Sequence, residues 1–161
     1  MRIHFIGIGG IGVSALAQYF LKKGGIISGS DLVSSEITDF LKKQGAKIYV
    51  GKHKRKNISS RTDLIIHSPA VAKDNPEILQ AKKYKISIES YPQALGDLTK
   101  KYFTIAVSGT HGKSTTTAML SSVLIKAKLD PTVIIGTKLK EFNNLNCRVG
   151  KGRYLIIEAD E

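Results

Sequence analysis

Two glycine-rich loops, each placed between an apolar strand and a helical pattern, constrain what this chain can fold into. Residues 108–115 read Ser-Gly-Thr-His-Gly-Lys-Ser-Thr, and residues 7–12 read Gly-Ile-Gly-Gly-Ile-Gly. In a strand–loop–helix unit the loop amides and the positive end of the helix dipole face an anion, so each loop predicts a phosphate site. Two such loops within 161 residues indicate two phosphorylated ligands.

Strand-length apolar runs alternate with helical patterns along the chain, which predicts an α/β fold with a mostly parallel sheet. Strands are expected at residues 3–6, 26–28, 47–50, 64–66, 86–88, 103–107, 132–135 and 154–157. Helices are expected after each glycine loop, before Gly45, after the cap Asn75-Pro76 and over residues 91–98. The first part is therefore expected to be Rossmann-like, and the second to be the start of a P-loop-type α/β domain.

The strand–loop–helix pattern restarts after residue 98, so we expect one domain at residues 1–98 and another at residues 99–161. The second domain has about three strands, fewer than the roughly five of a typical sheet. The sequence stops at Glu158-Ala159-Asp160-Glu161, directly after an apolar strand. We therefore expect the second domain to be partial and the chain to be an N-terminal fragment.

Composition excludes several classes of protein. The formal net charge is +12, but no helix-turn-helix or RNA-binding signature accompanies the basic residues, which favours small anions over nucleic acid as partners. No apolar run approaches the roughly 20 residues of a membrane helix, and the N-terminus lacks the pattern of a signal peptide. The single cysteine, Cys147, excludes an internal disulfide. These features together predict a cytoplasmic protein.

The first loop has the spacing of a nucleotide-binding turn. Gly7-x-Gly9-x-x-Gly12 follows a strand and opens a helix, and Asp31 ends the second strand at the expected distance. The glycines would permit a tight turn, close approach of a diphosphate and close helix packing. The spacing does not separate NAD, with Asp31 on a ribose hydroxyl, from another nucleotide diphosphate. An NAD-dependent oxidoreductase is therefore one interpretation.

The second loop is a shortened P-loop, because Val107 stands where the common pattern has its first glycine. We expect Lys113 to contact the β- and γ-phosphates, and Ser114 or Thr115 to bind Mg²⁺. Acidic residues after a strand are common metal ligands near a bound triphosphate. The candidates are Glu158, Asp160 and Glu161.

Several motifs, in order along the whole chain, resemble the Mur ligase family of peptidoglycan synthesis. They lie at residues 3–12, 14–17, 28–31, 68–71, 75–77, 109–119, 129–132, 152–155 and 158–161. The resemblance implies an ATP-dependent amide ligase, in which the muramic carboxylate attacks the γ-phosphate and an amine then displaces phosphate from the acyl phosphate. The implied substrates are UDP-N-acetylmuramate, ATP and L-alanine, with Mg²⁺ as the metal.

The resemblance also assigns roles to individual residues. Those implied at the UDP-sugar are Gly9, Gly10, Ile11, Gly12, Asp31, His53 and Ser68. Those implied at ATP are Gly109, Thr110, His111, Gly112, Lys113, Ser114 and Thr115. Lys113 would be catalytic, stabilising charge on the transferring phosphoryl group, and Ser114 and Glu158 would hold Mg²⁺.

The sequence departs from the family pattern at two positions. Lys52 stands between Gly51 and His53, where the family has glycine followed directly by histidine, and Ser114 replaces the usual threonine. Because the fragment lacks the parts expected to complete the ATP site and to bind the amino acid, we expect it to be inactive alone. A Mur-type ligase with a different acceptor, an NAD-dependent oxidoreductase and a nucleic-acid-binding module are the alternatives.

Overall fold

The structure is a computed structural model that describes residues 1–142 and 144–159. It consists of two compact units, Met1–Ala94 and Leu95–Glu161. The division falls within the helix Tyr91–Thr99, and the boundary predicted from the sequence, at Leu98, lies in the same helix. Among the described residues, no helix has the length and apolar character needed to cross a membrane.

The first unit is a five-stranded, fully parallel sheet with helices between its strands. Its strands are β1 (Arg2–Ile6), β2 (Ile26–Asp31), β3 (Lys47–Val50), β4 (Leu64–His67) and β5 (Ser87–Ser90), in the spatial order β3-β2-β1-β4-β5. Its helices are α1 (Ile11–Lys22), α2 (Glu36–Lys43) and α3 (Pro76–Lys83), followed by α4 (Tyr91–Thr99). This order of strands is the one that binds nucleotides at the reversal between β1 and β4.

Local sequence explains where these elements begin and end. Asn75 caps α3 by accepting a hydrogen bond from the Glu77 N–H at 2.8 Å, with Pro76 at the first helical position, as predicted. Strand β5 lies one residue later than predicted, because the Ile86 N–H bonds to the carbonyl of Ala81 and closes α3. Ile86 is thereby committed to the end of the helix rather than to the strand.

The second unit has a four-stranded mixed sheet. Its elements are β6 (Phe103–Val107), α5 (Lys113–Lys126), β7 (Thr132–Leu139), β8 (Leu145–Arg148) and β9 (Tyr154–Glu158), and the strand order is β6-β9-β7-β8. Strands β6, β9 and β7 are parallel, whereas β8 runs antiparallel to β7. The α/β class with a mostly parallel, Rossmann-like sheet is therefore confirmed.

Two predictions about the second unit were wrong. The sequence indicated about three strands, whereas the described residues contain four, and β7 extends to Leu139 rather than ending at Ile135. The missed strand β8 reads Leu-Asn-Cys-Arg, which has no β-branched residue and alternates apolar and polar residues over only four positions. Pairing of Cys147 with Ile134 places it in the sheet, so tertiary contacts rather than local propensity form this strand.

Candidate functional sites

The first glycine loop is held by hydrogen bonds from its own backbone. It turns from β1 into α1, with Gly7 at a φ of +77°, a value that side chains disfavour. The Gly7 and Ile8 amides both donate to the carbonyl of Ser30, at 2.8 and 3.1 Å, and the Gly10 amide donates to the carbonyl of Gly7 at 3.1 Å. Strand β2 therefore fixes the shape of the loop.

Asp31 is part of the same support. Its Oδ2 accepts a hydrogen bond from the Gly9 amide at 2.8 Å, and a Cβ added to Gly9 would lie 2.9 Å from that oxygen. The missing side chain of Gly12 makes room for Tyr91, whose ring carbon Cζ would lie 2.6 Å from an added Cβ. These two glycines thus leave space for neighbouring protein groups, a role that the motif alone did not indicate.

An open cleft of about 420 Å³ lies beside the loop, at the carboxyl ends of the parallel strands. Its lining comes from the segments that follow β1, β2 and β4 together with the loop that carries His53, as expected for a ligand site at a reversal of strand order. Of the residues predicted at the UDP-sugar, Gly10, Asp31, His53 and Ser68 line the cleft. Gly9, Ile11 and Gly12 belong to the loop and the first turn of α1 rather than to the lining.

Beneath the cleft lies a buried polar cluster that sequence reasoning missed. Its centre is the carboxylate of Glu77, which is fully buried at the start of α3. Oε2 accepts from Ser30 Oγ at 2.6 Å and lies 3.2 Å from His4 Nε2, while Oε1 accepts from Asn57 Nδ2 at 2.6 Å. The sequence pointed to no place for Glu77 in a site beyond the motif at residues 75–77, because its partners are far away along the chain.

The cluster keeps Glu77 ionised. Burial by itself raises the pKa of this carboxyl, but hydrogen bonds from His4, Ser30 and Asn57 outweigh burial and lower the pKa from 4.5 to about 2. His53 joins the cluster through Nδ1, which lies 3.0 Å from Ser30 Oγ and 3.5 Å from Glu77 Oε1. The buried, ionised carboxylate of Glu77 therefore lies next to His53, whose side chain lines the cleft.

The second loop is open to solvent. It follows β6, a strand at one edge of its sheet, and residues 108–112 are all exposed. Gly109 and Gly112 have φ values of +142° and +76°, and Gly112 is the cap of α5. Lys113 is the first residue of the helix, and its Nζ donates to the carbonyl of Gly109 at 2.9 Å. Ser114 and Thr115 lie in the first turn of the helix.

Glu158 ends β9 in register with Val107, the last residue of β6. Its Oε1 is buried without a hydrogen-bond partner among the described residues, and a Cβ added to Gly136 would lie 2.8 Å from its Oε2. An orphaned buried carboxylate oxygen needs a cation or a donor. The described residues contain no group of three or more His, Cys, Asp or Glu side chains with metal-binding geometry. Asp160 and Glu161, also predicted as ligands, lie outside the described residues.

These residues fit a phosphate with Mg²⁺. The loop offers a lysine amine and a helix N-terminus for the phosphates, Ser114 offers a hydroxyl, and Glu158 offers an unsatisfied carboxylate oxygen. A cleft at a Rossmann-type strand reversal together with a second, P-loop-like turn defines the class of nucleotide-binding α/β proteins.

Comparison with known proteins identifies the family within this class. The profile of the Mur ligase family, catalytic domain, matches residues 2–103, so this chain belongs to the Mur ligase family. The chain is 52% identical to a UDP-N-acetylmuramate–L-alanine ligase of Clostridium botulinum (strain Langeland), in an alignment 161 residues long that covers 99% of this chain and 34% of that protein. It thus spans about a third of the length of the curated relatives it matches.

Two solved structures are similar to this chain. The UDP-N-acetylmuramate-alanine ligase of Thermotoga maritima is 38% identical with a TM-score of 0.88, over 98% of this chain and 37% of that chain. The UDP-N-acetylmuramate:L-alanyl-γ-D-glutamyl-meso-diaminopimelate ligase of Neisseria meningitides is 26% identical with a TM-score of 0.88, over 99% and 52%. Family membership sets aside the oxidoreductase interpretation of the first loop.

Proposed function

We propose that this chain supplies the UDP-sugar site and the ATP phosphate loop of a ligase that joins L-alanine to UDP-N-acetylmuramate in peptidoglycan synthesis. The observation that carries the proposal is the 52% identity to such a ligase along 99% of this chain. A place in the bacterial cytoplasm belongs to the same proposal.

In the proposed reaction, the muramic carboxylate takes the γ-phosphoryl group of ATP, giving an acyl phosphate and ADP. The amine of L-alanine then attacks the acyl carbon, the amide forms and phosphate leaves. ATP with Mg²⁺ supplies the activation, because a carboxylate is a poor electrophile at neutral pH.

The residues of this chain would bind and orient the reactants. Lys113 would leave the carbonyl of Gly109 and place its charge on the transferring phosphoryl group, where charge develops in the transition state. Ser114 and Glu158 would hold Mg²⁺, which would satisfy the orphaned oxygen of Glu158. In the first unit, the cleft beside the glycine loop would hold the UDP-sugar between Asp31 and Ser68.

A ligase with a different acceptor is the second candidate. The observation that supports it is the TM-score of 0.88 to the Neisseria meningitides ligase, equal to that for the Thermotoga maritima ligase. The names of both relatives contain UDP-N-acetylmuramate, so either candidate assigns the same ligand to the first unit. The two candidates differ only in the amine that attacks the acyl phosphate.

Isothermal titration calorimetry on the 161-residue chain tests the shared part of the proposal. UDP-N-acetylmuramate and Mg²⁺–ATP should each bind at one site, and saturation with one should leave a site for the other. NADH should neither bind nor displace UDP-N-acetylmuramate. Failure of UDP-N-acetylmuramate to bind, or its displacement by NADH, would contradict the proposed ligand of the first unit.

A further inference from the structure

The hydrogen bonds of Ser30 determine which ring nitrogen of His53 carries a proton. Ser30 Oγ stands between two groups, 2.6 Å from Glu77 Oε2 and 3.0 Å from His53 Nδ1. Because Glu77 is ionised, its oxygens only accept, so the single hydroxyl proton of Ser30 points at Glu77. Ser30 Oγ must then accept from His53, which requires a proton on Nδ1.

The second contact of His53 has the same consequence. Nδ1 also lies 3.5 Å from Glu77 Oε1, an acceptor whose negative charge attracts a ring N–H. A neutral imidazole with its proton on Nδ1 carries a lone pair on Nε2. His53 lines the cleft and its side chain is 13% exposed, so Nε2 is the ring nitrogen that can meet a ligand there.

We propose that Glu77 and Ser30 are positioning residues that hold the ring proton of His53 on Nδ1, so that the lone pair of Nε2 accepts a hydrogen bond from a hydroxyl or N–H group of the ligand in the cleft. The identity of that ligand as a nucleotide-linked sugar rests on the proposed function. In this form, His53 accepts hydrogen bonds from neutral donors, such as a ribose hydroxyl or a base N–H. It is not a cationic contact for phosphate.

The charges around His53 come from several elements. Glu77 faces it from α3, Asp31 lines the same cleft from the end of β2, and His4 of β1 reaches Glu77 from the other side. Lys52 and Lys54 flank His53 in its own loop. Protonation of His53 would replace the Nε2 lone pair with an N–H, which repels a ligand donor but attracts a phosphate. The direction of the pH dependence therefore distinguishes the two roles.

The most direct test is ¹⁵N NMR of the histidine side chains in the unmodified 161-residue chain at about pH 8, where an ordinary histidine is neutral. We expect Nδ1 of His53 to show a pyrrole-like shift and Nε2 a pyridine-like shift. The His53 signals are assigned as those that are absent from the spectrum of the His53→Gln variant. Glu77→Gln should move the proton toward Nε2, because an amide can donate to Ser30 and turn its hydroxyl toward His53. Glu89→Gln on β5 is the control. A pyrrole-like Nε2 in the unmodified chain would overturn the proposal.

The pH profile of UDP-N-acetylmuramate affinity is the second readout. Between about pH 8 and pH 5.5 we expect the affinity to fall rather than rise, because any proton taken up by Nε2 removes the lone pair that accepts this hydrogen bond. In His53→Gln, whose amide oxygen also accepts, the affinity should change much less over this range. An affinity that rises toward acid pH would overturn the proposal in favour of phosphate contact. Absence of binding at every pH would contradict the proposed function, while the NMR result would still decide the proton position.

Discussion

The two glycine loops look alike in sequence but are held in different ways. In the first, the amides of residues 7–10 all donate to acceptors of the protein itself, from the loop and from β2. In the second, residues 108–112 are exposed and the side chain of Lys113 folds back onto the loop. The first loop is shaped by its neighbours before a ligand arrives, whereas the second offers its surface to the ligand.

The glycines differ in the same way. A side chain at Gly9 or Gly12 would collide with Asp31 or Tyr91, so these positions are glycine for reasons of space. A Cβ on Gly112 would meet no atom within 4 Å, but its φ of +76° disfavours any side chain. Gly9 and Gly12 of the first loop therefore serve packing, whereas Gly112 of the second loop serves backbone conformation.

The largest expected effect is on the acid stability of the first unit. The pKa of Glu77 is depressed from 4.5 to about 2 in the folded protein. Its contribution is therefore complete above pH 4.5 and is lost as the pH falls toward 2, a loss of about 2–3 kcal/mol in the free energy of unfolding. Amide hydrogen exchange of β1, compared with that of β9, should show the first unit weakening more steeply between these pH values.

The second unit provides the internal control for this prediction. The carboxyl of Asp130 is solvent-exposed, and its pKa is lowered by the backbone N–H of Lys151 and by the side chain of Arg148. Because water screens these contacts, protonation should weaken the second unit less. Equal acid sensitivity of β1 and β9 would show that the Glu77 cluster does not support the first unit.

Gly12→Ala should destabilise the first unit. The added Cβ would lie 2.6 Å from the ring of Tyr91, so the cost should be about 1–3 kcal/mol, as for overpacking. Gly96→Ala in α4 is the control, since a Cβ there meets nothing within 4 Å and should be neutral or stabilising. Urea unfolding followed by circular dichroism measures both. Equal stability of the two variants would mean that Gly12 does not serve packing.

Lys113→Met should have a large effect on the affinity for Mg²⁺–ATP and a small effect on the free energy of unfolding, the reverse of Gly12→Ala. Loss of a charge-assisted contact to phosphate should weaken Mg²⁺–ATP binding about ten- to a hundredfold, while unfolding changes by less than about 0.5 kcal/mol. Lys126→Met, at the other end of α5, is the matched control. Calorimetry should show UDP-N-acetylmuramate affinity unchanged in both variants. Retention of full ATP affinity in Lys113→Met would refute the assigned role.

The smallest expected effect belongs to Gly136→Ala. Its Cβ would lie 2.8 Å from Glu158 Oε2, the end of a flexible side chain, so the carboxylate should turn away at little cost in stability. We expect a three- to tenfold loss of Mg²⁺–ATP affinity, about 1 kcal/mol, in calorimetry at fixed Mg²⁺, with Gly96→Ala again as the control. Unchanged affinity would place Glu158 outside the metal site.

Local signals in the sequence predict much of this structure. The strand–glycine–helix units, the Asn75 cap and the parallel sheet all follow from patterns within a few residues. Strand β8 has only a four-residue alternation without β-branched residues and depends on pairing with β7. Glu77 was equally hidden, because its partners His4, Ser30 and Asn57 meet it only when two strands, a helix and a loop come together. Motif spacing likewise could not show that Asp31 bonds to Gly9.

The central claim is that the two loops serve two different ligands, and amide chemical-shift mapping on the ¹⁵N-labelled 161-residue chain tests it most directly. UDP-N-acetylmuramate should shift the amides of residues 9–13 and that of His53, and Mg²⁺–ATP should separately shift those of residues 109–115. Each ligand should leave the other set unchanged. Shifts of the same loop by both ligands, or competition between them, would contradict the account.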